Sequence, residues 1–87
     1  MLRRRGTARE VVLVTRQGCH LCEQAAPVVA DEARRAGAAY AERDVDADPA
    51  DLAAYGDKVP VVLVDGEEHA YWQVDRRALR TALRARV

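Results

Sequence analysis

The chain has 87 residues, so we expect one small domain with a modest hydrophobic core. Its 14 basic and 14 acidic residues balance to zero net charge, and with three tyrosines and one tryptophan it offers few rings to stack on bases, so we expect no nucleic-acid partner. No apolar stretch is long enough to span a bilayer, and no secretory signal follows the N-terminal arginines. We therefore expect a cytoplasmic protein with no membrane partner.

The spacing of apolar residues predicts seven elements after a flexible, arginine-rich arm at residues 1–9, all within a single domain of residues 10–87. In chain order they are a strand at 10–15, a helix at 21–36, a strand at 39–45, a short helix from Pro49 to Gly56, a strand at 61–64, a strand at 68–71 and a helix at 76–86.

Turn and cap residues separate these elements. Gly37 is a C-cap residue for the first helix, and Asp48 followed by Pro49 is typical of a helix start. Asp65-Gly66 predicts a hairpin, and Asp75 is the N-cap of the last helix.

The element order βαβαββα predicts an α/β fold with a four-stranded mixed sheet flanked by helices. The first βαβ unit requires its two strands to be parallel, and the hairpin adds an antiparallel pair. The first strand contains the continuous apolar run Val11–Val14, so we expect it to lie inside the sheet.

The two cysteines of the chain, Cys19 and Cys22, lie where the first strand passes into the first helix. Free N–H groups and the helix dipole favour a thiolate at such a position. Two thiols separated by two residues can alternate between dithiol and disulfide, which predicts a redox carrier. Cys19 comes first and is expected to be the exposed nucleophile, whereas Cys22, one turn further, is expected to be the buried resolving thiol.

The sequence resembles the glutaredoxin-like family of the thioredoxin-fold superfamily over about residues 10–85. The resemblance lies in Thr15–Cys22, in Glu42–Asp48 and in Lys58–Gly66. It implies a thioredoxin-like fold and a small thiol–disulfide oxidoreductase that reduces protein disulfides or mixed disulfides with a small thiol. It also implies that the Val59-Pro60 peptide is cis and faces the cysteines, so that Val59 offers its backbone to an extended substrate.

Three more side chains are candidates for substrate binding. Arg16 lies where glutaredoxins often carry a lysine that contacts the glutathione carboxylate or the thiolate, and an arginine suits either partner. His20 would stabilise the Cys19 thiolate when protonated, and is otherwise an exposed spacer. Lys58 replaces the threonine that the family has before Val-Pro.

The segment after the hairpin departs from the family. Glutaredoxins grip the γ-glutamyl end of glutathione with Gly-Gly-x-Asp, which here reads Trp72-Gln73-Val74-Asp75. The missing glycines remove room for close backbone approach, so we expect weak glutathione recognition. Asp75 remains a candidate for binding an amine. We expect Trp72 to be a buried core anchor, with a place at the lip of the substrate groove as the alternative.

Two other functions stay open. In a metal-binding module, Cys19, Cys22 and His20 supply at most three ligands, one fewer than a closed zinc site needs, so we expect no resident metal in a monomer. The resemblance leaves open an iron–sulfur cluster that bridges two chains and is completed by small thiols, as in some glutaredoxins. A non-catalytic adaptor would keep the fold and not the activity. For the oxidoreductase we expect a monomer with no bound cofactor and with glutathione or another small thiol as co-substrate. Its partners would be a disulfide-containing protein or a small-thiol mixed disulfide, together with a recycling reductant.

Overall fold

The computed structural model describes residues 8–85, with side chains as far as residue 84. Its elements in chain order are β1 (Glu10–Thr15), α1 (His20–Ala36), β2 (Ala39–Asp44), a 3-10 turn (Val45–Ala47), α2 (Pro49–Tyr55), β3 (Val61–Val64), β4 (Glu67–Tyr71) and α3 (Arg76–Ala85). This order confirms the predicted βαβαββα arrangement. Val45, predicted as the end of the second strand, instead begins the 3-10 turn.

The four strands form one mixed sheet in the order β2-β1-β3-β4. Strand β1 pairs in parallel with β2 and antiparallel with β3, and β3 pairs antiparallel with β4. β1 is therefore internal, as its apolar run predicts, and Val11, Leu13 and Val14 are fully buried. The hairpin turn has the left-handed backbone expected of its sequence, with φ of 50° at Asp65 and 84° at Gly66.

Each face of the sheet carries a hydrophobic cluster, because alternate side chains of a strand point to opposite faces. α1 and α3 cover one face, where Val29, Leu79 and Leu83 pack with Val11 and Leu13 of β1. The residues of the other face are Val12, Val14, Val45, Val61 and Leu63, with Tyr55 and Val59 packed against them. The two clusters fix the end of β1 and the start of α1, where the cysteines lie.

An ion-pair network joins α1 to α3. The side chain of Glu32 is buried, and its Oε2 accepts hydrogen bonds from Arg76 at 2.6 Å and from Arg80 at 2.8 Å. The bond from Arg80 is the strongest influence and outweighs the opposing effect of burial, so the pKa of Glu32 falls to about 2. Asp31 adds a contact with Arg76 at 2.7 Å. The network therefore holds α1 against α3 through charge, in addition to apolar packing.

The predicted arm at residues 1–9 lies mostly outside the described residues, as does the predicted end of the last helix at residue 86. Ala8 is buried, and its N–H donates to the Leu83 carbonyl at 2.8 Å. The N–H of Arg9 donates to Oδ1 of Asp65 at 2.9 Å. The folded domain therefore includes Ala8 and Arg9, which the predicted boundary at residue 10 leaves out. Within residues 8–85, no helix is long and apolar enough to cross a membrane.

Candidate active site

The two cysteines lie at the N-terminus of α1 and form a disulfide, with Cα atoms 5.2 Å apart. Cys19 is the N-cap residue, and its Sγ accepts a hydrogen bond from the Cys22 N–H at 3.2 Å. The Cys19 carbonyl accepts the first bond of the helix, from the Glu23 N–H at 3.1 Å. The helix terminus thus directs a backbone donor at the Cys19 sulfur, which favours a thiolate there once the disulfide is reduced.

The two sulfur-bearing residues differ in exposure. Cys22 is only 3% exposed, whereas Cys19 is partly exposed. Gly18, immediately before Cys19, has a φ of 74°, a left-handed backbone that glycine adopts without strain. This turn brings the chain from β1 into α1 and places Cys19 at the surface end of the helix.

His20 is the first residue of α1 and is exposed. Its Nε2 lies 3.1 Å from the amide Nε2 of Gln24, one helical turn further along. The ring therefore has a neutral partner on its own helix.

Arg16 is held by a carboxylate and a carbonyl. Its Nε and one terminal nitrogen donate to Asp46 at 3.0 and 3.1 Å, and the other terminal nitrogen donates to the Gly56 carbonyl at 2.9 Å. The hydrogen bond to Asp46 raises the pKa of Arg16, and the same bond lowers the pKa of Asp46. Arg16 also lines an open cavity of about 340 Å³ that reaches Cys22, yet its guanidinium is largely engaged in these bonds. Its predicted role as a ligand of the thiolate or of glutathione stays a prediction.

The Val59-Pro60 peptide bond is cis, as predicted, and Pro60 is buried. That this segment faces the cysteines stays a prediction. The backbone N–H of Trp72 donates to the Pro60 carbonyl at 2.8 Å and to the Lys58 carbonyl at 3.2 Å. Among residues 8–85, Val59 lies outside the strands and makes no backbone–backbone hydrogen bond. The carbonyls of Lys58 and Pro60, on both sides of Val59, therefore accept hydrogen bonds, whereas the described residues give the N–H and carbonyl of Val59 no backbone partner.

The side chain of Lys58 contacts two residues of β4. Its Nζ lies 3.1 Å from both carboxylate oxygens of Glu68 and 5.2 Å from the ring centroid of Tyr71. An ion pair and a cation–π contact thus occupy the ammonium group.

Trp72 is 53% exposed, so the expectation of a buried core anchor is wrong. Its backbone is left-handed, with a φ of 65°, because its N–H turns back to pair with the carbonyls of the cis-proline segment. The indole N–H donates to the Asp57 carbonyl at 3.2 Å, and the ring meets the edge of Tyr71 at 5.1 Å. Trp72 instead lies at the lip of a groove, which was the alternative expectation.

Asp75 is a helix cap, as predicted. Its Oδ1 accepts hydrogen bonds from the N–H groups of Arg77 at 2.9 Å and of Ala78 at 3.1 Å. Binding of an amine by the same carboxylate stays a prediction.

Sequence reasoning missed a groove of about 260 Å³ between α1 and the loop after β4. On α1 it is lined by Leu21, Ala25 and Val28, a spacing that places three apolar side chains on one helix face. That spacing was a usable signal, but sequence alone could not show that this face stays uncovered. In the part of the chain that the structure describes, no group of three or more His, Cys, Asp or Glu residues is arranged to hold a metal ion.

Comparison with known proteins agrees with this geometry. Residues 10–84 match the glutaredoxin-like domain (DUF836). An uncharacterized protein of Mycobacterium tuberculosis is 41% identical over 76 residues, which cover 82% of this chain and 78% of that protein. A solved structure from X. campestris is 36% identical with a TM-score of 0.67, and the match covers 84% of this chain and 93% of that chain.

A solved mutant thioredoxin from Halobacterium salinarum is 28% identical with a TM-score of 0.66, and the match covers 93% of this chain and 78% of that chain. The sheet order, the three helices and the Cys19–Cys22 disulfide at the start of α1 are those of a thioredoxin-fold protein with a redox-active thiol pair. The chain belongs to the glutaredoxin-like family of the thioredoxin-fold superfamily.

Proposed function

We propose that this protein is a thiol–disulfide oxidoreductase that reduces protein disulfides or mixed disulfides with a small thiol. The observation that carries the proposal is the asymmetric disulfide at the start of α1. Cys19 is partly exposed and accepts a backbone hydrogen bond at its sulfur, whereas Cys22 is buried. A disulfide kept only for stability needs neither a helix N-terminus at one sulfur nor an exposed member.

The reaction has two exchange steps. In the reduced protein, the Cys19 thiolate attacks one sulfur of the substrate disulfide, forms a mixed disulfide and releases the other substrate sulfur as a thiolate that takes up a proton. Cys22 then loses its proton and attacks the Cys19 sulfur, which forms the Cys19–Cys22 disulfide and releases the second substrate thiol. The substrate gains two electrons and two protons, and the protein is left in the oxidised form that the structure represents.

The residues around the pair have supporting roles in this proposal. The Cys22 N–H stabilises the Cys19 thiolate, and His20 adds to that effect when it carries a proton. The unpaired peptide groups of Val59 hold the substrate in an extended conformation, as an added strand. Pro60 fixes the direction of this segment because its ring restrains the backbone.

Two further thiols must return the protein to its reduced form, and they leave as a disulfide. Glutathione, another small thiol or a reductase dithiol each has the required chemistry. We place the reaction in the cytoplasm and the protein in a monomeric state, with its disulfide-bearing substrate and its reductant as partners.

The experiment is reduction of a disulfide-bonded peptide by the full chain, with glutathione, free cysteine or a thioredoxin-reductase system supplied in turn. We expect turnover with at least one reductant and none with Cys19→Ser. Absence of turnover with all three, together with a Cys19 thiol that alkylates no faster than free cysteine, would contradict the proposal.

A further inference from the structure

The groove between α1 and the loop after β4 has uncharged walls. Leu21, Gln24 and Val28 line it on α1, and Trp72, Gln73 and Val74 line it on the loop after β4. Leu21 lies between the two cysteines in the chain, so one wall of the groove belongs to the helical turn that carries them. Its volume is about 260 Å³. We call this the flank groove.

The cations of the candidate site are neutralised by the protein itself. Lys58 is paired with both oxygens of Glu68, and Arg16 donates twice to Asp46. A ligand carboxylate would have to displace one of these acids to gain a cationic partner. The site therefore offers little attraction to an anionic thiol such as glutathione, which carries two carboxylates.

The backbone donors of the loop are also engaged. The Trp72 N–H is bonded to the carbonyls of Pro60 and Lys58, and the Gln73 N–H donates to the Tyr71 carbonyl at 2.9 Å. Two consecutive N–H groups that could cradle a carboxylate are thus turned inward. What remains for a ligand on this side is uncharged: the side chains of Gln24 and Gln73, and the apolar side chains of Leu21 and Trp72, which are 41% and 53% exposed.

We propose that the flank groove receives a large apolar side chain of a protein substrate, from the residue next to the reacting cysteine. Trp72 causes the protein to prefer such a substrate over anionic small thiols. The inference rests on the proposed oxidoreductase function and leaves its electron balance unchanged. The groove volume of about 260 Å³ is enough to hold one large side chain. Burial of that side chain against two exposed apolar walls favours such a substrate about tenfold.

The test compares two disulfide-bonded peptides that differ only in the residue beside the cysteine, leucine in one and glutamate in the other, with the glutathione mixed disulfide as a third substrate. The variants are Trp72→Gly, Trp72→Phe and Leu21→Ala. Glycine adopts the left-handed backbone at position 72 freely, so Trp72→Gly keeps the loop geometry while removing the wall. Leu52→Ala is the matched control, since Leu52 is 45% exposed on α2 and does not line the groove.

For the wild type and Leu52→Ala we expect kcat/KM to be about tenfold higher with the leucine peptide than with the glutamate peptide. Trp72→Gly and Leu21→Ala should lose most of this ratio, and Trp72→Phe should retain it. Equal rates for both peptides in the wild type, or an undiminished ratio in Trp72→Gly, would overturn the inference. Failure of the wild type to reduce any of the three substrates would instead overturn the proposed function.

A second readout does not depend on the groove variants. Trp72 is the single tryptophan of the chain, so fluorescence excited where the three tyrosines do not absorb reports on the surroundings of Trp72. In the mixed disulfide of Cys22→Ser with each peptide, we expect the emission to shift to shorter wavelength with the leucine peptide and to stay unchanged with the glutamate peptide. The same emission in both adducts would contradict occupation of the groove.

Discussion

The guanidinium of Arg16 binds the carboxylate of Asp46 through two hydrogen bonds, of 3.0 and 3.1 Å. The two residues are 30 positions apart in the sequence, on either side of β2. The pairing gives Arg16 a structural partner beside the cysteines and leaves it little capacity to bind a ligand carboxylate. The predicted weak recognition of glutathione would then have a second cause besides the missing glycines.

Removal of the ion pair between Arg16 and Asp46 should improve the binding of glutathione. We expect Asp46→Asn to lower KM for the glutathione mixed disulfide about threefold, because a neutral amide holds the guanidinium less tightly than a carboxylate does. Steady-state kinetics with that substrate is the measurement. Asp51→Asn is the matched control, since it removes an acid that pairs with Arg43 at 3.1 Å. Equal KM values for the two variants would show that Arg16 is not the carboxylate ligand.

The buried Glu32 should make stability depend on pH in the acid range. Its pKa is lowered from 4.5 to about 2, first by the hydrogen bond from Arg80, so the charged form stabilises the folded state. A lowered folded-state pKa means that this stabilisation is complete above pH 4.5 and is lost as the pH falls towards 2.

We expect Glu32→Gln to lower the free energy of unfolding at pH 7 by about 2 kcal/mol, since it removes the acceptor charge from the three hydrogen bonds that Arg76 and Arg80 donate to Glu32. The difference between wild type and variant should shrink steadily below pH 4.5. Urea unfolding at several pH values measures it. A difference that stays constant from pH 7 to pH 3 would contradict the assignment of the acid dependence to Glu32.

Asp75 should stabilise the folded state because its side chain caps the N-terminus of α3. Asp75→Ala should lower the free energy of unfolding by about 1 kcal/mol, and Asp75→Ser should restore most of it, because serine also caps a helix. Thermal or urea unfolding compares the two. An unchanged stability in Asp75→Ala would argue against the cap. A rise in KM for glutathione in both variants would indicate that the carboxylate also binds the substrate amine.

The fold was predictable because its signals are local. The apolar run Val11–Val14, the Asp48-Pro49 helix start and the Asp65-Gly66 turn each fix an element through residues adjacent in sequence. The cysteine pair was equally visible, since a strand before it and a helix after it place it at a helix N-terminus. The cis peptide at Pro60 followed from the family resemblance and not from local pattern.

The long-range contacts between charged side chains were not predictable from local sequence. The partners of Arg16, Lys58 and Glu32 lie 10 to 48 residues away, and which acid meets which base depends on packing. Trp72 was misjudged because a large ring favours burial on average, whereas here its backbone must turn back to the Pro60 carbonyl. That turn leaves the ring at the surface.

The central claim is that Cys19 attacks and Cys22 resolves. The most direct measurement is mass spectrometry of the adduct formed when Cys22→Ser and Cys19→Ser, both reduced, are mixed with a disulfide-bonded peptide at pH 7. The account predicts that Cys22→Ser accumulates a stable mixed disulfide on Cys19, because nothing resolves it, and that Cys19→Ser forms no adduct. An adduct that accumulates on Cys22 in Cys19→Ser, with none on Cys19 in the other variant, would reverse the assignment.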